Sequence, residues 1–246
     1  MSVKISHESP LELLPLSRFY NDYDYALVHL FDVYPAYLDF FKESLKQGRM
    51  VYLDNSYFEL GHVYDEAKYV QYIKDLGSIN PGKFFYVLPD SKSSKDITRF
   101  ISKYQLPGGR IGVAHGDTIE ESIENIKFLR AVCDIVAIPG AMPGLDRRHL
   151  ILDHLEPAHI LDGLKIHLLG CKYPQEFRSY KNHSWFFSLD TSNPVLHGIK
   201  HIRYTDSGLD FKDKTLLADV LNIHVDDAML EDIKFNVKKF KELLNV

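Results

Sequence analysis

The chain has 246 residues, 45% hydrophobic and 26% charged, with a net charge of −5 at pH 7, the composition of an ordinary globular protein that can bury a large core. No apolar run approaches membrane length and no basic segment leads into one at the start, so cytoplasmic residence and no membrane partner are expected. Two cysteines, Cys133 and Cys171, exclude a disulfide framework and a zinc site built from three or four thiolates.

The first two dozen residues read as irregular, interrupted by Pro10 and Pro15. Tyr25 to Leu30 is the first predicted buried strand. A helix follows over Tyr34 to Gln47, with Tyr37, Leu38, Phe41 and Leu45 at helical spacing and Gly48 as its cap. Met50 to Leu53 is the second predicted strand, leading into Asp54-Asn55-Ser56-Tyr57-Phe58-Glu59. The alternation continues with a helix from Asp65 to Leu76 ended by Gly77, then a strand from Phe84 to Leu88 leading into Pro89-Asp90. Lys95 to Lys103 is predicted helical, and Arg110 to Ala114 is a strand that ends in His115-Gly116-Asp117. Thr118 opens the next helix, with Glu121 three residues on in a capping-box pattern, and that helix runs to Ala131.

Asp134 to Ile138 is a predicted strand ending in Pro139-Gly140, followed by a helix from Leu145 to Leu155. Lys165 to Leu169 is a strand ending in Gly170-Cys171, and Pro174 to Tyr180 a short helix. Trp185 to Leu189 is five mostly apolar residues, a strand buried on both faces; Asp190 follows directly, and the polar segment after it closes at Pro194. His201 to Tyr204 is the candidate eighth strand, and Met229 to Leu244 the last helix. Repeated strand–helix units predict a parallel sheet with right-handed crossovers. At this length they predict a single-domain (β/α)₈ TIM-like barrel over residues 1–246 rather than an open doubly wound sheet, and no GxGxxG follows the first strand.

In a barrel, the residues after each strand meet on one face: Asp54, Asp90, His115, Gly140, Gly170 and Asp190. Three carboxylates without an obvious Lys or Arg in the same loops repel one another unless a hydrogen-bonding or cationic ligand is expected. Two chemistries suit the set. A carboxylate attacks an anomeric carbon while a second group manages the leaving-group proton, or the carboxylates and His115 hold a divalent metal for hydrolysis. Three basic clusters are candidates for phosphate contact: Arg147-Arg148-His149, Lys172 with Arg178 and Lys181, and Lys200-His201-Ile202-Arg203.

Taken together the segments resemble the tRNA-guanine transglycosylase superfamily, most of all its small phage-type branch (DpdA), which inserts 7-deazaguanine bases into DNA. Leu53-Asp54-Asn55-Ser56-Tyr57-Phe58-Glu59 resembles the family's D-S-G-G-F segment, and Val113-Ala114-His115-Gly116 stands where the family has V-Q-G-G. Ala137-Ile138-Pro139-Gly140 matches a Gly-rich, base-binding strand end, His167-Leu168-Leu169-Gly170 resembles Y-L-M-G, and Ser188-Leu189-Asp190-Thr191-Ser192 resembles the segment with the nucleophilic Asp.

The resemblance implies Asp190 as nucleophile and Asp54 as general acid/base or electrostatic partner. It implies Asp90 and His115 on the polar edge of the base, Gly140 and Gly170 admitting the flat ring, and Ser56, Tyr57 and Phe58 shaping or stacking on it. Arg147, Arg148, Lys172 and Lys200 would hold phosphates. Neither a metal nor a cofactor is implied, and the partners are a nucleic acid, DNA more than tRNA, and a free 7-deazaguanine-type base. The family's C-terminal zinc site of three Cys and one His is missing, because past residue 133 only Cys171 remains. The rivals are a nucleoside or nucleotide N-glycosidase, with water as acceptor, and a non-catalytic protein that binds a modified base.

Overall fold

A computed structural model of the chain describes residues 3–91, 93–140, 147–170, 174–178, 180–206 and 215–244. Eight strands form one parallel sheet: β1 (Lys4–His7), β2 (Asp24–Leu27), β3 (Val51–Asp54), β4 (Phe84–Val87), β5 (Gly109–Val113), β6 (Ile135–Pro139), β7 (Ile166–Leu169) and β8 (Phe186–Thr191). The hydrogen-bonded order runs β1-β8-β7-β6-β5-β4-β3-β2, so the sheet curls until its first and last members meet. That last seam is closed by a backbone bond from Asp22 N to Ile5 O at 2.9 Å together with side chains that stand in for further backbone pairing. Asp22 Oδ2 accepts from Ile5 N at 2.8 Å, and the Asn21 amide accepts from His7 N at 2.7 Å and donates to His7 O at 2.9 Å.

The helices that follow the strands are α1 (Pro35–Lys46), α2 (Glu66–Ile79), α3 (Ser94–Lys103), α4 (Ile119–Val132), α5 (Arg147–Leu155), α6 (Pro174–Arg178), α7 (Asn193–Ile199) and α8 (Asp227–Leu244). This is a nearly closed (β/α)₈ barrel. Its register puts the strand ends that carry Asp54, Asp90, His115, Gly140, Gly170 and Asp190 on one rim. The capping box at the head of α4 forms in full: Thr118 Oγ1 accepts from Glu121 N, and the Glu121 carboxylate accepts from Thr118 N. No described helix is long and apolar enough to cross a membrane.

The strand count matches the expectation, but two memberships differ. β1 lies in the stretch read as irregular, and the predicted first strand becomes β2, ending at Leu27 before a 3₁₀ turn over Val28–Leu30. β1 is four residues long with Ile5 its one aliphatic side chain. Its polar residues are buried by tertiary neighbours: Ser6 lies in register with Asp190, and His7 packs edge-on against Phe240 of α8 at 5.5 Å. Conversely, 201–204 is not a strand. Tyr204 N donates to Asn236 of α8, so this segment is pinned to a helix rather than to the sheet.

Two further readings shift. Gly77 lies inside α2 rather than capping it, because a Cβ there would come within 2.7 Å of Pro107. Pro194 sits in the first turn of α7, where a missing N–H is harmless, and β8 extends through Asp190 to Thr191.

Candidate active site

Below the rim the barrel is filled by aromatic and polar side chains rather than the usual aliphatic layers. Tyr23 and Tyr52 pack tilted at 4.4 Å, Tyr25 lies almost parallel to the His167 ring at 6.0 Å, and Tyr52 meets His167 edge-on at 5.7 Å. All four are buried. The Tyr23 hydroxyl donates to Leu189 O at 2.7 Å, which ties this plug to β8 directly beneath Asp190.

Asp190 is 5% exposed, and its Oδ1 accepts from Gly170 N at 2.9 Å. Gly170 supplies that N–H from a left-handed turn, φ 67°, which glycine adopts without a Cβ penalty. His167 Nε2 lies 3.1 Å from the same oxygen, off the line of a hydrogen bond, while its Nδ1 is 3.0 Å from Ser188 Oγ. Both contacts gather on Oδ1.

Asp54, at the end of β3, is 8% exposed. Its Oδ2 accepts from Tyr25 OH at 2.6 Å and its Oδ1 from Ser56 N at 2.6 Å. Burial first, and then the nearby Glu59 carboxylate, push the Asp54 carboxyl up to about 8 against these stabilising donors. It therefore carries a proton through most of the neutral range. Tyr25 connects the two acids, since its hydroxyl bonds Asp54 while its ring lies on the imidazole that faces Asp190.

Asp90 Oδ1 is 2.6 Å from His115 Nε2, and His115 N is in turn held by Asn125 Oδ1 of α4 at 3.1 Å. The repulsion expected among three carboxylates is thus relieved separately at each: Asp54 by protonation, Asp90 by an imidazole, Asp190 by a backbone N–H. Asn55 ties the β3 end to the β4 end, its amide donating to Leu88 O at 2.9 Å. Next to it opens a cavity of about 180 Å³ whose walls include Tyr57, Tyr64, Tyr69, Phe100 and Asp90. Asp54 and Asp190 are not among the residues lining that cavity.

Ser56 is fully buried in a left-handed backbone conformation, φ 59°. Such a conformation is uncommon for a residue with a Cβ. Tyr57 and Phe58 stay out of the core, 41% and 67% exposed on the short helix Tyr57–Leu60. Gly140 is a place of close approach: a Cβ there would lie 2.6 Å from Gly170 O and 3.3 Å from the Arg148 guanidinium.

Arg148 requires a correction. It is 3% exposed, with Nε on Glu176 at 2.7 Å, Nη1 on Leu169 O at 2.9 Å and on Ile138 O at 3.2 Å, and its guanidinium over the Phe177 ring. The guanidinium knits the β6 and β7 ends together instead of facing a phosphate on the surface. Lys200 lies beyond the far end of the seven-residue α7 from the Asp190 strand end, with Nζ donating to Thr215 Oγ1. It is not brought to the rim. Arg147 opens α5 but its side chain, like the whole of Lys172, lies outside the described residues.

Tyr25, Glu59, His167 and Ser188 belong to this arrangement without having been singled out. A histidine inside an otherwise apolar strand, Ile166–Leu169, was the available signal for His167. Among the described residues no group of three or more His, Cys, Asp and Glu is placed to hold a metal ion.

Compared with known proteins, the sequence matches no family model and no curated protein. Among solved structures it is similar to KGPDC from Streptococcus mutans, with a TM-score of 0.47 and 12% identity over 95% of this chain and 98% of that one. A likeness that distant carries no information about chemistry.

Proposed function

We propose that the chain is a base-exchange glycosyltransferase that replaces guanine in a nucleic acid, DNA before tRNA, with a 7-deazaguanine-type base. The observation that carries this reading is the pair of rim carboxyls in contrasting environments. Asp54 is held up to about 8 by burial, while Asp190 is braced on one oxygen by the Gly170 N–H. Such contrast suits one acid and one nucleophile. In the forward step Asp190 attacks C1′, the C1′–N bond pair leaves with the base, and the base takes the Asp54 proton. An incoming base then gives its N–H proton to the Asp54 carboxylate and attacks C1′ from the face opposite Asp190, whose oxygen takes back the C1′–O bond pair, so the configuration is retained. A nucleotide turned out of its stack presents its base to Asp90 and the His115 imidazole, with Tyr57 beside them. Ser56 adds support, since its left-handed backbone stands where the resembled family has a glycine.

The test is mass spectrometry of nucleosides from DNA and RNA incubated with the protein and 7-deazaguanine bases. Incorporation that is lost in Asp190→Asn is expected, and unchanged turnover in that variant removes the mechanism. A second reading, hydrolysis of a free nucleoside or small nucleotide, is favoured by one observation: Arg148 is turned inward and Lys200 stands away from the rim, so phosphates find fewer cations there. It predicts release of free base with no added base incorporated.

A further inference from the structure

We infer that His167 is the positioning residue of the nucleophile: fixed by Ser188 at Nδ1, it presents Nε2 to Asp190 Oδ1 and so makes Oδ2 the attacking atom. This rests on the reading of Asp190 as nucleophile and adds what that reading leaves open, which oxygen attacks and what holds the other.

His167 is 1% exposed in the centre of the barrel, where an aliphatic side chain would pack without any polar debt. Its Nε2 has no hydrogen-bond partner among the described residues, yet Asp190 Oδ1 lies 3.1 Å away, off the line of a hydrogen bond. Catalytic contacts are often poorly aligned without substrate and tighten when it binds. Tyr52 OH lies 3.5 Å from Ser188 Oγ, and Ser188 Oγ 3.0 Å from His167 Nδ1. An acceptor-only carboxylate at Asp190 favours the tautomer in which Ser188 donates to Nδ1 and the imidazole proton sits on Nε2, 3.1 Å from Oδ1. The register supports this, because His167 pairs with Ser188 across β7 and β8 and Asp190 is the next residue toward the rim on the same face.

The consequence is chemical. Gly170 N–H and His167 both address Oδ1, so the Oδ2 lone pair forms the bond to C1′ while the C1′–N pair departs with the base. When the acceptor attacks C1′, the C1′–Oδ2 pair returns to the carboxylate, and the donors on Oδ1 stabilise the charge that reappears there. Loss of the His167 donor therefore slows breakdown of the glycosyl-enzyme most.

His167→Phe keeps the ring, its volume and its stacking on Tyr25, whereas His167→Gln gives up the ring but keeps a donor of similar reach. The expected result is a kcat fall of about 10- to 100-fold in His167→Phe, the size expected for losing one hydrogen bond to a charged group, with the KM for the nucleic acid falling alongside it because the glycosyl-enzyme accumulates. A covalent glycosyl-enzyme visible by intact-protein mass spectrometry should accumulate, and His167→Gln should be the more active of the two. A packing role predicts the reverse order, and that order overturns the proposal. Should His167→Phe fail to fold, Ser188→Ala, which leaves the ring in place, decides: a kcat equal to the parent's, or lowered without the KM, overturns the proposal, and a kcat and KM lowered together support it. Asp190→Asn separates the two levels of argument. Turnover in that variant removes the nucleophile itself, while its inactivity beside a fully active His167→Phe removes only the role of His167.

Discussion

Asp54→Asn should make the protein more stable as it destroys activity. The Asp54 carboxyl is 8% exposed and held up to about 8 by burial and by Glu59, against an ordinary value of 3.8. Between those two values the folded chain keeps a proton that the unfolded chain has released. The stabilisation is therefore full below about pH 4 and is lost progressively as pH rises to about 8. At about 1.4 kcal/mol per pH unit the whole window amounts to something on the order of 6 kcal/mol as a ceiling. Asparagine resembles the protonated acid in shape: it can accept from Ser56 N while its amide faces Tyr25 OH, which turns to accept. Parent and variant should match near pH 4 and diverge toward pH 8, the variant melting higher by roughly 2–4 °C for each kcal/mol. Thermal denaturation of both proteins across that range isolates this carboxyl, because every other group titrates in both. Parallel curves would refute the reasoning.

Glu59→Gln should bring the Asp54 titration down, since Glu59 is the leading charge raising it, and the alkaline limb of the activity profile should move to lower pH. Arg148→Ala should destabilise by about 1–3 kcal/mol, because the buried guanidinium no longer serves the Leu169 and Ile138 carbonyls and the half-buried Glu176; urea denaturation reads the loss, and binding to nucleic acid should keep its salt dependence. Gly140→Ala should lower both melting temperature and activity, because its Cβ meets the Gly170 carbonyl oxygen at 2.6 Å and the backbone must give. Ser56→Gly should stay within about 1 kcal/mol of the parent, relief of the left-handed conformation being offset by a more flexible unfolded chain, while Ser56→Val should be clearly less stable in the same melting assay.

Most of the barrel is legible along the chain because each unit carries its own signals: an apolar run, then Gly or Pro, then helical spacing. The capping box at Thr118 is a local contact between residues three apart, and it forms as spelled. β1 escaped because its burial is supplied from elsewhere, by β8, Tyr20 and Phe240. Of the rim residues, Asp54, Asp90, His115, Gly140, Gly170 and Asp190 could be picked out because position at a strand end is a one-dimensional property. Whether a basic residue faces solvent is not, and Arg148 reads on paper like Lys200 although one is buried under two strand ends and the other exposed beside Thr215.

The order of strands and helices from β2 to β8, the placing of acids at strand ends and the exclusion of a zinc site with three or four thiolates are properties of the chain alone, since short-range pattern and composition determine them. The tertiary structure alone decided that Asp54 holds its proton, that His115 answers Asp90, and that an imidazole from β7 meets Asp190 of β8. Those depend on burial and on distances between residues far apart in sequence, and only closure of the barrel brings such groups within a few ångströms of one another.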